Sequence, residues 1–231
     1  MNVSAQPAAP DFIAARFNMV ESQIRPNKVR NERLLSALGD MPREIFVPSP
    51  LSGIAYIDED IQLTANRFLL EPMVLARLLE TADIKDHESV LDVAPATGYS
   101  TGIIAALAKK VTGLEAETAL AQKAAANLAA LGIKNASVET GPHGEGWKSG
   151  APYDVILVNG GVEFVPEKLA AQLADGGRLL LVMRAFGPVR VAHTGEARLY
   201  ENIRGKLSHR PLFDANVKIL PGFEARQAFT F

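Results

Sequence analysis

Two carboxylates in this sequence have the spacing of a nucleoside-binding site. Asp92 lies in the short apolar run 90–94, and Glu115 follows the run 111–114, about 23 residues later. In open α/β sheets, ligands bind beyond the carboxyl ends of the strands, where an acid accepts hydrogen bonds from ribose hydroxyls. We therefore predict that Glu115 binds a ribose. The alternative is a solvated acid that only stabilises the start of the next helix.

The loop between these acids indicates which nucleoside would bind. A pyrophosphate cofactor needs several glycines, because backbone N–H groups must approach the phosphates. Here Ala94 and Ala96 stand where glycines would be, Pro95 has no N–H, and Gly98 is the one glycine of the loop. The loop argues against a dinucleotide and favours S-adenosylmethionine, which has no phosphates.

Further residues near this loop are candidates for ligand contact. Asp92 either holds the loop through backbone N–H groups or reaches the ligand, and Tyr99 either packs on the ligand or lies in the core. Asn159 ends a later strand and either contacts the ligand or only forms an Asn-Gly turn. The predicted cofactor-binding residues are Asp92, Ala94, Ala96, Gly98, Tyr99, Glu115 and Asn159, with no metal ligands and no catalytic residue assigned. Weaker candidates are His143, for catalysis, and Arg25, Arg30, Arg33 and Arg43, for a substrate carboxylate.

Strands that alternate with helices position these residues. After residue 89, short apolar runs bounded by turn residues alternate with helical patterns, which predicts a doubly wound, Rossmann-like α/β fold. The sheet is expected to be mostly parallel with an antiparallel edge in 189–231. We expect one compact domain, with a loose arm at 1–10, a helical region at 11–88 and the core and C-terminal strands at 89–231. Predicted helices include 72–81, 101–110, 117–131 and 166–174, and predicted strands include 90–94, 111–114, 136–139, 154–158 and 179–183.

Composition excludes several classes of protein. The chain has 231 residues, 24 basic against 26 acidic side chains and no cysteine. Disulfides, thiolate metal sites and a cysteine nucleophile are therefore excluded. Nucleic-acid binding is not expected without a basic excess, and the longest apolar runs are too short to span a membrane. We expect a cytoplasmic protein, monomeric or weakly oligomeric, whose start lacks the features of a secretory signal.

Several motifs along the chain resemble the protein-L-isoaspartate O-methyltransferases. They include the segments 42–48 (PREIFVP), 55–58 (AYID), 90–99 (VLDVAPATGY), 151–154 (APYD) and 176–179 (GGRL). The likeness covers roughly residues 17–188, and the first and fourth motifs are specific to that family. It implies a methyltransferase fold that transfers the methyl of S-adenosylmethionine to the carboxylate of an isoaspartyl residue in a damaged protein or peptide.

The chain departs from the family pattern at functional positions. Leu70 stands where the family has a serine that orients the substrate carboxylate, and Pro142 stands where it has an aspartate for the adenine. If Ala94 or Ala96 needs a positive φ, strain of about 1 kcal/mol arises. Two functions thus stay open. One is isoaspartyl methylation, and the other is a non-catalytic or re-purposed relative that acts as a binding protein or on another carboxylate.

Overall fold

A twisted sheet lies at the centre of the structure. The structure, a computed structural model, describes residues 11–184 and 194–225, and in this part of the chain seven strands form one sheet in the order β5-β4-β3-β6-β7-β8-β9. The strands from β5 to β7 are parallel to their neighbours, whereas β8 and β9 are antiparallel. The seven strands are β3 (Ser89–Val93), β4 (Lys110–Glu115), β5 (Ala136–Thr140), β6 (Tyr153–Val162), β7 (Leu173–Met183), β8 (Gly195–Ile203) and β9 (Lys206–Ala215).

The strand order reverses between β3 and β6. From β3 the chain moves outward through β4 to β5 and then returns to pair β6 with the other side of β3. Residues 90–93 of β3 are buried, because this central strand has helices on both faces. The carboxyl ends of β3, β4 and β6 therefore meet at the crevice where such folds bind ligands.

The helices begin where the sequence provides caps. Asp11 accepts a hydrogen bond from the Ala14 N–H at the start of α1, and Asn31 caps α2 through the N–H groups of Arg33 and Leu34. Pro72 occupies the first turn of α3, where a missing N–H is harmless. The helices are α1 (Phe12–Asn18), α2 (Glu32–Asp40), α3 (Pro72–Ala82), α4 (Tyr99–Ala105), α5 (Thr118–Ala130) and α6 (Glu167–Ala170).

The segment before β3 packs on one face of the sheet and covers the crevice. A π-helical segment, Met19–Ile24, directly continues α1. Two short 3-10 helices, Arg43–Phe46 and Ser49–Ile54, follow α2. A hairpin of two-residue strands, β1 (Ile61–Gln62) and β2 (Phe68–Leu69), then leads into α3. One hydrophobic cluster joins residues of this segment to the sheet, and a second cluster fills the opposite face.

The predicted α/β fold with an antiparallel edge is confirmed, with local corrections. The predicted helix 166–174 is only the four-residue α6, and the predicted turn at 175–177 is an irregular part of β7. The helix ends early because the chain joins the sheet at this point: the Tyr153 N–H donates to the Gln172 carbonyl at 2.9 Å, and Tyr153 pairs with Leu173. The predicted arm, 1–10, and parts of the predicted C-terminal edge lie outside the described residues.

No helix in 11–184 or 194–225 is long and apolar enough to cross a membrane.

Candidate functional site at the carboxyl ends of the central strands

The predicted site residues do come together at the strand-order reversal. Asp92 lies in β3, Glu115 ends β4, and Asn159 lies in β6 beside β3. The Asn159 amide donates to Asp92 Oδ1 at 2.6 Å and to the Val93 carbonyl at 3.0 Å. Because these bonds join β3 to β6, Asn159 fixes the geometry of the crevice whether or not it contacts a ligand.

The loop after β3 is tightly turned. Ala94 and Ala96 have φ values of 62° and 53°, so both alanines adopt the left-handed conformation that the sequence analysis considered. Each costs about 1 kcal/mol relative to an unstrained residue. Gly98 has a φ of 96°, and a Cβ there would lie 3.1 Å from the Cβ of Ala124, so both conformation and space require glycine.

Tyr99 begins α4 below this loop, away from solvent. Its ring packs edge-on against Phe46 with centroids 5.4 Å apart, and the Arg43 guanidinium lies 4.7 Å from the ring centroid. The side chain is fully buried. The structure therefore gives Tyr99 a core environment, and its contact with a ligand stays a prediction.

Asp92 is a buried carboxylate whose partners are neutral. Ser100 and Thr101 donate to its Oδ2 at 2.7 and 2.6 Å, and Asn159 donates to Oδ1. Burial raises the pKa of Asp92 to about 6, and the hydrogen bonds from these three side chains only partly oppose it. Asp92 thus ties the first turn of α4 to the end of β3.

Glu115, unlike Asp92, lies beside a cationic side chain, that of Arg67. Burial alone would raise its pKa, but the His143 ring and the Arg67 guanidinium lower the pKa of Glu115 to about 2. The shift is downward because the Arg67 guanidinium and the hydrogen bond with the His143 ring stabilise the ionised form more than burial destabilises it. Five nitrogen atoms surround the carboxylate: Arg67 Nη2 at 2.7 Å, Ala96 N at 2.9 Å, Ala116 N at 2.9 Å, Glu117 N at 3.2 Å and His143 Nε2 at 3.1 Å.

Arg67 and His143 complete the site, although the sequence gives little or no signal for either. No periodic pattern marks Arg67, because the strands around it are only two residues long. Its one visible signal is a cation next to the apolar run 68–70. His143 follows β5 and was a weak candidate for catalysis, and the structure places it on Glu115. Arg43, a candidate for substrate binding, instead donates to the backbone carbonyls of Ala55 and Leu70.

A small cavity lies beside this cluster, next to the hairpin of β1 and β2. Its volume is about 10 Å³, and its lining includes Arg67, Leu70, Asn159 and Lys218. That is room for about one water molecule. Among the described residues, no group of three His, Asp or Glu side chains is arranged to hold a metal ion.

The chemistry of this site fits a nucleoside, while the observed conformation is closed to one. A carboxylate at the end of β4, a tight loop into α4 and a strand-order reversal match the arrangement that holds a ribose. A carboxylate offers about four lone-pair positions, and protein nitrogen atoms fill those of Glu115. Glu115 could accept ribose hydroxyls only after a donor such as Arg67 moved away.

Comparison with known proteins gives the family. The model of the protein-L-isoaspartate(D-aspartate) O-methyltransferase family matches residues 15–202. Protein-L-isoaspartate O-methyltransferase 1 of Rhodopseudomonas palustris (strain HaA2) is 39% identical over 177 residues, which are 77% of this chain and 72% of the relative. The protein-L-isoaspartate O-methyltransferase of Koribacter versatilis (strain Ellin345) is 37% identical over 179 residues, which are 78% of this chain and 81% of the relative.

Solved structures agree at the level of the fold. A protein-L-isoaspartate O-methyltransferase superposes with a TM-score of 0.77 at 23% identity, over 90% of this chain and 66% of that one. A putative enzyme of the same name from Plasmodium falciparum, in complex with S-adenosyl-L-homocysteine, superposes with a TM-score of 0.74 at 18% identity. The superposition covers 92% of this chain and 99% of that one. The resemblance found in the sequence motifs is thereby confirmed, and this chain belongs to the protein-L-isoaspartate(D-aspartate) O-methyltransferase family.

Proposed function

We propose that this protein transfers the methyl group of S-adenosylmethionine to the carboxylate of isoaspartyl residues in proteins or peptides. One observation carries the proposal: the family match over residues 15–202 coincides with a carboxylate, Glu115, at the ribose position of a doubly wound sheet. The isoaspartyl methylation for which the family is named supports this acceptor. Methylation of such damaged residues would make the protein part of protein repair.

The predicted site residues divide the work of holding the methyl donor. When bound, S-adenosylmethionine supplies an electrophilic methyl group on a sulfonium. Glu115 would accept hydrogen bonds from the ribose hydroxyls, and the loop 94–98 would border the remainder of the nucleoside. Asp92 and Asn159 would keep the carboxyl ends of β3 and β6 in register beside it.

The acceptor carboxylate makes few chemical demands on the protein. It is ionised at pH 7, so no general base is needed to create the nucleophile. The contribution of the protein is to align the oxygen with the methyl group and to keep water out. We propose that the helical region 11–88 provides the substrate side, because its segment 60–70 closes the crevice over Asn159.

A methyl-transfer assay tests the proposed function. Labelled S-adenosylmethionine at saturating concentration is incubated with a peptide that contains one isoaspartyl residue, and the matched control is the same peptide with ordinary aspartate. We expect base-labile label on the isoaspartyl peptide alone. Restoring the family serine with Leu70→Ser should raise this transfer, because a hydroxyl can donate a hydrogen bond to the acceptor carboxylate and leucine cannot. Absence of label on the isoaspartyl peptide with both the unmodified protein and Leu70→Ser would refute the function.

A second candidate is a non-catalytic or re-purposed relative. It is favoured by the five nitrogen atoms that already surround Glu115 and by the apolar Leu70 at the acceptor position. The two candidates differ in the assay above. Transfer to the isoaspartyl peptide eliminates the second candidate, whereas transfer confined to other carboxylic acids would show that the site has changed its acceptor.

Finer features complete the proposal. We propose a cytoplasmic protein that is a monomer or a weak oligomer and whose partner is a protein or peptide, with no nucleic acid and no membrane. The nearly balanced charge of 24 basic and 26 acidic residues supports a partner other than nucleic acid. Cell fractionation and light scattering test the location and the oligomeric state.

A further inference from the structure

The Arg67 side chain occupies the place where the cofactor hydroxyls would bind. Its guanidinium is 1% exposed, and its Nη2 lies 2.7 Å from both Glu115 Oε2 and the Ala94 carbonyl oxygen. These two acceptors belong to the end of β4 and to the loop after β3. Arg67 thus joins the two elements that would otherwise enclose the nucleoside.

The hydrogen bonding of Arg67 is incomplete, and it leaves two nitrogens unpaired where the buried Arg43 leaves one. The Nε and Nη1 of Arg67 are buried and have no hydrogen-bond partner among the described residues. Buried donors without partners are uncommon and costly in folded proteins. The same small cavity borders Arg67, Leu70 and Asn159. The guanidinium therefore projects into a site with unused binding capacity.

The element that carries Arg67 is suited to move. Arg67 directly precedes the two-residue strand β2, and its carbonyl accepts hydrogen bonds from the N–H groups of Leu63 and Thr64 across the turn. The tip residues Ala65 and Asn66 are exposed. A hairpin with such short strands, outside the main sheet, has low local stability and can open without unfolding the core.

We propose that Arg67 is an internal competitor of the cofactor, which binds only when the hairpin 61–69 withdraws the guanidinium from Glu115. The inference rests on the proposed function, because it takes S-adenosylmethionine as the ligand of this site. Arg67 Nη2 and the Ala96 N–H both bind Glu115 Oε2, so a ribose hydroxyl can bind this oxygen only after the guanidinium leaves it. The apparent affinity for the cofactor is therefore the affinity of the open form multiplied by the fraction of molecules that are open.

Calorimetric titration with S-adenosylhomocysteine tests the competition without requiring turnover. The unmodified protein is compared with Arg67→Gln, which removes the charge, and with Arg67→Lys, which keeps it. We expect the Kd to fall at least tenfold in Arg67→Gln and much less in Arg67→Lys. Arg178→Gln is the matched control: Arg178 also pairs with a largely buried carboxylate, Glu88 at 2.8 Å, and lies at the opposite edge of the sheet, so the Kd of this variant should equal that of the unmodified protein.

Hydrogen exchange of the unmodified protein keeps the test independent of how well the variants fold. If the ligand displaces Arg67, the amides of Leu63 and Thr64 exchange faster with S-adenosylhomocysteine bound, although amides in the loop 94–98 become protected. Unchanged or slower exchange at Leu63 and Thr64, in a protein that binds the ligand, would overturn the proposal.

The outcomes separate this inference from the proposed function. Equal affinities of the unmodified protein and Arg67→Gln overturn the competition and leave the function standing. Tighter binding by Arg67→Gln without methyl transfer to the isoaspartyl peptide supports the competition and refutes the function. No binding by either protein at millimolar ligand overturns both.

Discussion

Replacing Glu115 with glutamine removes the carboxylate charge that contacts Arg67 and His143 inside the protein. The side chains of Glu115 and Arg67 are 0% and 1% exposed, so the guanidinium would stay buried without its partner. Removal of one member of a buried ion pair typically costs about 3–5 kcal/mol. We therefore expect Glu115→Gln to lower the free energy of unfolding at pH 7 by an amount in that range.

The pH dependence of this loss follows from the pKa of Glu115. Folding lowers that pKa from 4.5 to about 2, so the ionised carboxylate adds stability above pH 4.5 that disappears as the pH falls towards 2. The shift corresponds to about 3 kcal/mol, of which about 2 kcal/mol is lost by pH 3. The difference between the parent and Glu115→Gln should therefore shrink by about 2 kcal/mol between pH 7 and pH 3.

Urea unfolding measures this directly. Fluorescence of Trp147, the single tryptophan, and circular dichroism follow the transition at both pH values. Glu145→Gln is the matched control, because Glu145 pairs with Lys168 on the surface and should contribute less than about 1 kcal/mol at pH 7. A loss below 1 kcal/mol for Glu115→Gln at pH 7, or a difference that does not change with pH, would refute the electrostatic account of the site.

Two further changes test the strained loop and the raised pKa of Glu71. Ala96→Gly should alter the free energy of unfolding by less than about 1 kcal/mol, since relief of the backbone strain at φ 53° offsets the loss of a buried methyl group. Ala124→Gly in α5, where no such strain is relieved, should cost about 1–2 kcal/mol. Equal losses for the two variants in urea unfolding would contradict the strain. Burial and the neighbouring Asp60 raise the pKa of Glu71 to about 7, so stability conferred by its protonated form is lost as the pH rises from 4.5 to 7. Thermal unfolding of Glu71→Gln should show less of this loss, and parallel pH curves for parent and variant would disprove the assignment.

The alternating strands and helices of the central sheet could be predicted from the sequence. Apolar runs placed β3 and β4, and with them Asp92 and Glu115, because a buried parallel strand needs continuous apolar residues. The N-caps at Asp11 and Asn31 are equally local features, because their side chains bond to backbone groups only a few residues away.

The closure of the site depends on contacts between distant segments, which no local pattern records. Arg67 meets Glu115 across 48 residues, and His143 meets it across 28. Their partners are fixed only when the hairpin and the loop after β5 fold onto the sheet. That Glu115 binds a ribose therefore stays a prediction, and no local pattern indicates the groups that surround its carboxylate.

A crystal structure of the protein grown with excess S-adenosylhomocysteine tests the central claim most directly. The account predicts that the ribose hydroxyls lie within hydrogen-bond distance of Glu115, and that Arg67 has left the 2.7 Å contact it makes in the closed form. A nucleoside bound elsewhere, with Arg67 still on Glu115, would contradict both the assignment of the site and its mode of closure.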